Sequence, residues 1–94
     1  MRSTIYANPL DHKIRRIIKQ EEFRLSHINQ FQKLTPREKE IIELVIDGLN
    51  NKDISDQLFI SRSTVEQHRK NINRKLAVRN VMELYRFALA FDLV

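Results

Sequence analysis

Apolar residues along this chain recur at three- and four-residue intervals, and nowhere alternate as they would along a half-buried strand. The clearest run begins at Leu34. Thr35-Pro36-Arg37-Glu38 has the form of a capping box: Thr35 caps, Pro36 takes the first helical position, and Glu38 reaches back to the cap amide. Ile41, Ile42, Leu44 and Val45 then supply one apolar face and Gly48 a left-handed stop, which predicts a helix over roughly 36–47. Asn50, with Asp53 three residues on, starts a short second helix that buries Ile54 and Leu58. Phe59 and Ile60 form a turn. Ser61 caps a third helix, SRSTVEQHRKNINRKL, with Val65, Ile72 and Leu76 on its apolar edge. Asn80 and Glu83 repeat the start signal for a last helix to about Phe91, with Leu84, Ala88 and Phe91 as its core face. Four capped starts joined by short connections predict a compact four-helix unit at 34–94.

Upstream the pattern is thinner. Residues 1–10 contain small and polar side chains and Pro9, and read as a poorly ordered tail. From Asp11, the expected cap, to about Gln30 the chain is helix-compatible. Ile14, Ile18, Leu25 and Ile28 fall on a heptad seam, with Glu21 where a fifth apolar residue belongs. Two heptads are too few to define a coiled coil. Residues 1–33 therefore read as a tail followed by a linker or packing helix, with pairing to a second copy as the alternative.

Composition narrows the function classes. Ninety-four residues suit one small domain and a short appendage. With no cysteine, neither a disulfide framework nor a thiolate metal site is available. No apolar run approaches the roughly 18 residues of a membrane span, and the N-terminus lacks the apolar core of a signal peptide. The expectation is a cytoplasmic chain with no membrane partner. Net charge is +5, but residues 61–79 alone carry six basic side chains and one acidic one. Clustering on the third predicted helix is the distribution that nucleic-acid binding requires.

The spacing within 51–70 follows the helix-turn-helix pattern. Ile54, Leu58, Ile60 and Val65 lock two short helices at a steep angle, with Ser55 as the small residue between them. Phe59 stands where such motifs often carry glycine. The longer run, LTPREKEIIELVIDGLNNKDISDQLFISRSTVEQHRKNINRKLAV, resembles the LuxR-type (GerE-like) helix-turn-helix domain of bacterial transcription regulators. The matching features are an L-T-x-R-E start at Leu34–Glu38, Gly48, N-K-x-I at Asn51–Ile54, L-x-I-S-x-x-T-V-x-x-H at Leu58–His68, and K-L at Lys75–Leu76. There are two departures: Ala77 replaces a usual glycine, so the third helix is expected to run slightly longer, and Glu66 occupies an often basic position. The fold class is all-α, a four-helix helix-turn-helix domain preceded by one N-terminal helix.

The outward residues follow from the inward ones. With Val65, Ile72 and Leu76 in the core, Glu66, Gln67, Arg69, Lys70 and Asn73 turn toward a major groove. Gln67 suits adenine, Glu66 a cytosine amino group, and Lys70 guanine, and the resemblance likewise implies base contacts at these three. Glu66 could instead pair with Lys70, four residues on. Phosphate contacts are assigned to Asn51, Lys52, Ser61, Arg62, Ser63, Thr64, Arg69 and Asn73, while Arg74 and Lys75 either join them or complement the helix dipole.

Met82, Tyr85 and Leu89 lie off the predicted core side of the last helix. There the resemblance implies a homodimer contact that sets two recognition helices on adjacent half-sites. It also implies sequence-specific double-stranded DNA binding as the effector domain of a regulator, with RNA polymerase as a further partner. His12, His27 and His68 show no ligand pairing, and no nucleophile–base set stands out. No enzyme activity, metal, cofactor or small-molecule ligand is therefore expected. Two other readings remain open: promoter contact like that of sigma-factor region four, and a helical adaptor that binds protein through residues 11–30 or 80–91. Against the sigma reading stand Lys75-Leu76 and the helix from Asn80; Glu66 keeps the adaptor open. Because 33 residues cannot hold a phosphoacceptor or sensing domain, the chain is either the effector end of a longer regulator or a small stand-alone one.

Overall fold

The computed structural model describes residues 8–94, so the predicted tail lies largely outside the described residues. Among those described, five helices and no strand are found: α1 (Pro9–Gln32), α2 (Pro36–Ile46), α3 (Asn51–Leu58), α4 (Arg62–Leu76) and α5 (Val81–Ala90).

Every start is capped by a side chain. Thr35 and Glu38 form the reciprocal box, with Thr35 N donating to Glu38 Oε1 at 2.9 Å and Glu38 N to Thr35 Oγ1 at 3.1 Å. Asn50, Ser61 and Asn80 accept from the backbone N–H groups of Asp53, Thr64 and Glu83. The expected cap at Asp11 is displaced. Asn8 caps α1, accepting from Leu10 N at 2.9 Å. Pro9 follows it at the first helical position, where a missing N–H and a fixed φ are assets.

Four helix ends share one device. Gly48, Phe59, Ala77 and Asp92 all adopt positive φ. The next residue is apolar each time, and its N–H bonds a carbonyl five positions back: Leu49 to Leu44, Ile60 to Ser55, Val78 to Asn73, and Leu93 to Ala88. This arrangement satisfies orphan carbonyls and swings an apolar side chain onto the core. It corrects the expectation of a longer α4. Ala77 takes φ 54 without being glycine, because ending the helix at Leu76 buries Val78 to 7% exposure.

The core joins Leu34, Ile41, Ile42 and Val45 to Ile54, Val65, Ile72 and Leu76, and closes over Val78, Leu84, Phe87 and Ala88. On α5 the buried aromatic is Phe87; Phe91, expected in the core face, follows the helix end half-buried. Phe91 stacks on Phe31 at 4.0 Å between ring centroids. Phe87 meets Phe23 edge-on at 4.9 Å. These aromatic contacts dock α1 on α5. Of the heptad seam, Ile14, Ile18 and Leu25 are exposed and Ile28 is half-buried, because α1 turns its Phe23–His27–Phe31 side inward.

Candidate nucleic-acid interface

α4 is held by its apolar edge. Val65, Ile72 and Leu76 are buried at 0%, 2% and 2% exposure, as their spacing predicts. The opposite side is open: Ser63, Glu66, Gln67, Lys70, Asn73 and Arg74 are all exposed. Gln67, Lys70 and Arg74 follow at three- and four-residue steps and so form one stripe. Arg74, which spacing alone left between phosphate contact and dipole complement, is exposed on the same side as Gln67 and Lys70.

Around the start of α4, hydroxyls cluster. Ser61 Oγ accepts from Thr64 N at 3.1 Å and lies 3.0 Å from Ser63 Oγ and 2.8 Å from Thr64 Oγ1. With Arg62 exposed beside them, this first turn offers hydroxyls, an unpaired guanidinium and helix-end amides to an anion. Asn51, beside Lys52 at the start of α3, is tied to the middle of α4 by one long-range bond. Arg69 Nη1 donates to Asn51 Oδ1 at 2.7 Å, across 18 residues of sequence. Arg69 is consequently half-buried and faces α3 rather than straight outward. Lys52 forms an i,i+4 ion pair with Asp56 at 3.0 Å, both ends exposed.

The base-assigned residues differ in their local ties. Gln67 Nε2 donates to Asn71 Oδ1 at 3.2 Å, and Arg74 Nη2 donates to the same oxygen at 3.3 Å. Asn71 therefore orients two members of the stripe at once. The Glu66–Lys70 ion pair is not formed. Among the described residues neither side chain has a hydrogen-bond or ionic partner, so both ends are free.

Two of the six basic residues of this segment are taken by carboxylates. Lys75 Nζ donates to Glu38 Oε1 at 2.8 Å, with side-chain exposures of 20% and 3%. Lys75 is thus a link between α4 and α2. Burial pushes the Glu38 carboxyl up, but the Lys75 ammonium, the Thr35 N–H and the charges of Lys75 and His68 outweigh it and hold the group below its ordinary value. Arg79 pairs with Glu83 at 3.2 Å, and the Arg79 N–H also donates to that carboxylate at 2.7 Å; these contacts lower the Glu83 pKa. Arg62, Lys70 and Arg74 remain as the cations of the open face.

Met82, Tyr85 and Leu89 lie on a different element, at 78%, 41% and 41% exposure along one side of α5. No described helix is long and apolar enough to cross a membrane.

Residues 32–88 match the family described as bacterial regulatory proteins, luxR family. The chain is 43% identical over 61 residues to the transcriptional regulatory protein MctR of Rhizobium johnstonii, a match covering 65% of this chain and 28% of that protein. Over 64 residues it is 47% identical to the uncharacterized response regulatory protein YgeK of Escherichia coli K12, covering 68% of this chain and 44% of the relative. It is 42% identical over 64 residues to the oxygen regulatory protein NreC of Staphylococcus epidermidis, covering 68% and 29%. The chain thus spans less than half the length of each of these relatives. No solved structure matches. With the matched residues covering α2 to α4 and most of α5, the chain belongs to the luxR family of bacterial regulatory proteins, and its helix-turn-helix is the DNA-binding domain of that family of transcription regulators.

Proposed function

We propose that this chain binds double-stranded DNA sequence-specifically as the effector part of a bacterial transcription regulator, with α4 in the major groove. The observation that carries this reading is the open face of α4, with Glu66 and Lys70 unpartnered beside Gln67 and Arg74. In it, Glu66, Gln67 and Lys70 read base edges. Asn51, Lys52, Ser61, Arg62, Ser63, Thr64, Arg69 and Asn73 grip phosphate and fix the register. The Arg69–Asn51 bond supports this by holding the start of α3 against the middle of α4.

The regulator acts as a homodimer. Met82, Tyr85 and Leu89 of α5 meet the same residues of a second copy, placing two α4 helices on inverted half-sites about one DNA turn apart. RNA polymerase is the further partner and the cytoplasm the place of action. The chain has no catalytic role, cofactor or small-molecule ligand.

The test is an anisotropy titration against selected duplexes at several salt concentrations. Affinity should fall steeply with salt, and Lys70→Ala should weaken specific binding by about 1–3 kcal/mol. Salt-independent binding, or full affinity in a folded Lys70→Ala variant, would refute the reading. Binding to no duplex, with a protein partner co-purifying, would favour the adaptor instead.

A further inference from the structure

α1 has two faces, and only one is used. Phe23, His27 and Phe31 pack toward α5, whereas Leu10, Ile14, Ile17, Ile18 and Leu25 are each 45–64% exposed. About two and a half turns separate Ile14 from Phe23 and Ile18 from His27, so Ile14 and Ile18 point away from the domain, with Ile17 at the edge of the stripe nearest α5. Five large aliphatic side chains on one stripe exceed the scattered hydrophobics of an ordinary surface.

We propose that this stripe pairs with the same stripe of a second copy of the chain, the two α1 helices running antiparallel. The pairing extends the α5 contact of the proposed dimer and goes beyond it, since it needs no DNA. Interface size is the first argument. Met82, Tyr85 and Leu89 are three side chains, two of them already more than half covered. A standard stable interface takes roughly 20–30 residues and about 800 Å² from each partner. The second argument is continuity. Ile17 of α1 and Leu89 of α5 line one shallow depression of about 220 Å³, and Gln20 Nε2 donates to the Leu89 carbonyl at 2.7 Å beside it. The stripe therefore begins where the α5 patch ends.

Charge selects the orientation. Glu21 sits on the seam, tied to Arg24 at 3.0 Å. A parallel pair would set Glu21 against its own copy, with like charges facing at the interface. Antiparallel heptads instead bring Leu25 of the second copy opposite Ile14, and Glu22 of the second copy alongside Arg15. A two-fold axis then repeats each contact.

Sedimentation equilibrium, with and without a bound duplex, tests the pairing on the wild type, Ile14→Lys/Ile18→Lys and Tyr85→Glu. The wild type should self-associate without DNA. The double α1 variant should raise the dimer dissociation constant roughly tenfold or more while its circular dichroism stays helical. A wild type that is monomeric at its highest soluble concentration overturns the proposal. So does a double variant that dimerises normally; if Tyr85→Glu then disrupts the dimer, only the α1 pairing falls and the α5 reading stands. The chain has no cysteine of its own, so disulfide trapping reads the orientation directly. Mixed Ile14→Cys and Leu25→Cys chains should form the heterodisulfide, whereas efficient homodisulfides of Ile14→Cys alone would overturn the antiparallel arrangement.

Discussion

Phe59 and Ala77 hold left-handed backbone at φ 58 and φ 54, a region that favours glycine because a Cβ crowds the neighbouring carbonyl. Phe59 is 92% exposed, so little packing is lost with its ring. Phe59→Gly and Ala77→Gly should each raise stability by about 1 kcal/mol, read as a higher urea midpoint at unchanged slope. Glu38 presents the opposite case, a buried charge whose neighbours all depend on it. Glu38→Ala should destabilise by about 3 kcal/mol, since it removes a cap and strands the Lys75 ammonium. Because the folded-state pKa of Glu38 lies below its ordinary value of 4.5, its contribution is complete above that pH and is lost as acid carries the pH down through the folded value. The urea midpoint of the wild type should therefore fall more steeply below pH 4.5 than that of Glu38→Gln. Glu66 is unpartnered on the open side of α4, so on the proposed function Glu66→Ala should tighten binding to random duplex while reducing discrimination at one base pair by about 1–3 kcal/mol. Tighter binding with discrimination intact would mark Glu66 as a simple repulsive charge.

At the scale of elements, α1 is a separable unit fastened by aromatics. The Arg86 guanidinium lies 4.2 Å from the Phe23 ring centroid, and the Lys39 ammonium 4.9 Å from that of Phe31. Phe23→Ala should cost about 2 kcal/mol and release α1 locally. In hydrogen exchange the α1 amides should lose protection while those of α2 to α4 keep theirs; a uniform loss would show α1 to be integral to the fold. The heptad reading of α1 identified an apolar stripe and left its surroundings open. Periodicity identifies which residues share a face, but the domain chose the Phe23–Phe31 side because Phe87 and Phe91 offered rings to stack on.

The whole molecule decides how many of its cations can meet DNA. Of the six basic residues in 61–79, Lys75 and Arg79 are paired with carboxylates, Arg69 and Arg74 donate to the amide oxygens of Asn51 and Asn71, and Arg62 and Lys70 are open. Arg62→Ala, which removes a phosphate contact, should lower the slope of log affinity against log salt by about 1. Lys75→Met should leave that slope unchanged and lower the thermal midpoint instead, because its charge is spent on Glu38. A loss of slope in Lys75→Met would mean that the ion pair opens on DNA.

Local signals along the chain were sufficient for the starts of α2 to α5. Thr35, Asn50, Ser61 and Asn80 each mark a start through a side chain that reaches a backbone amide three residues away, and such short-range chemistry needs no partner element. Val65, Ile72 and Leu76 likewise determine which side of α4 faces outward, because helical geometry alone turns the rest away from the core. Only the tertiary structure decided what crosses between elements: Lys75 with Glu38, Arg69 with Asn51, and Phe23 with Phe87. These pairs lie far apart in sequence, and nothing within a turn of either member specifies the other. Packing brings them together, and it thereby sets which charges and which apolar faces remain for DNA and for a second copy.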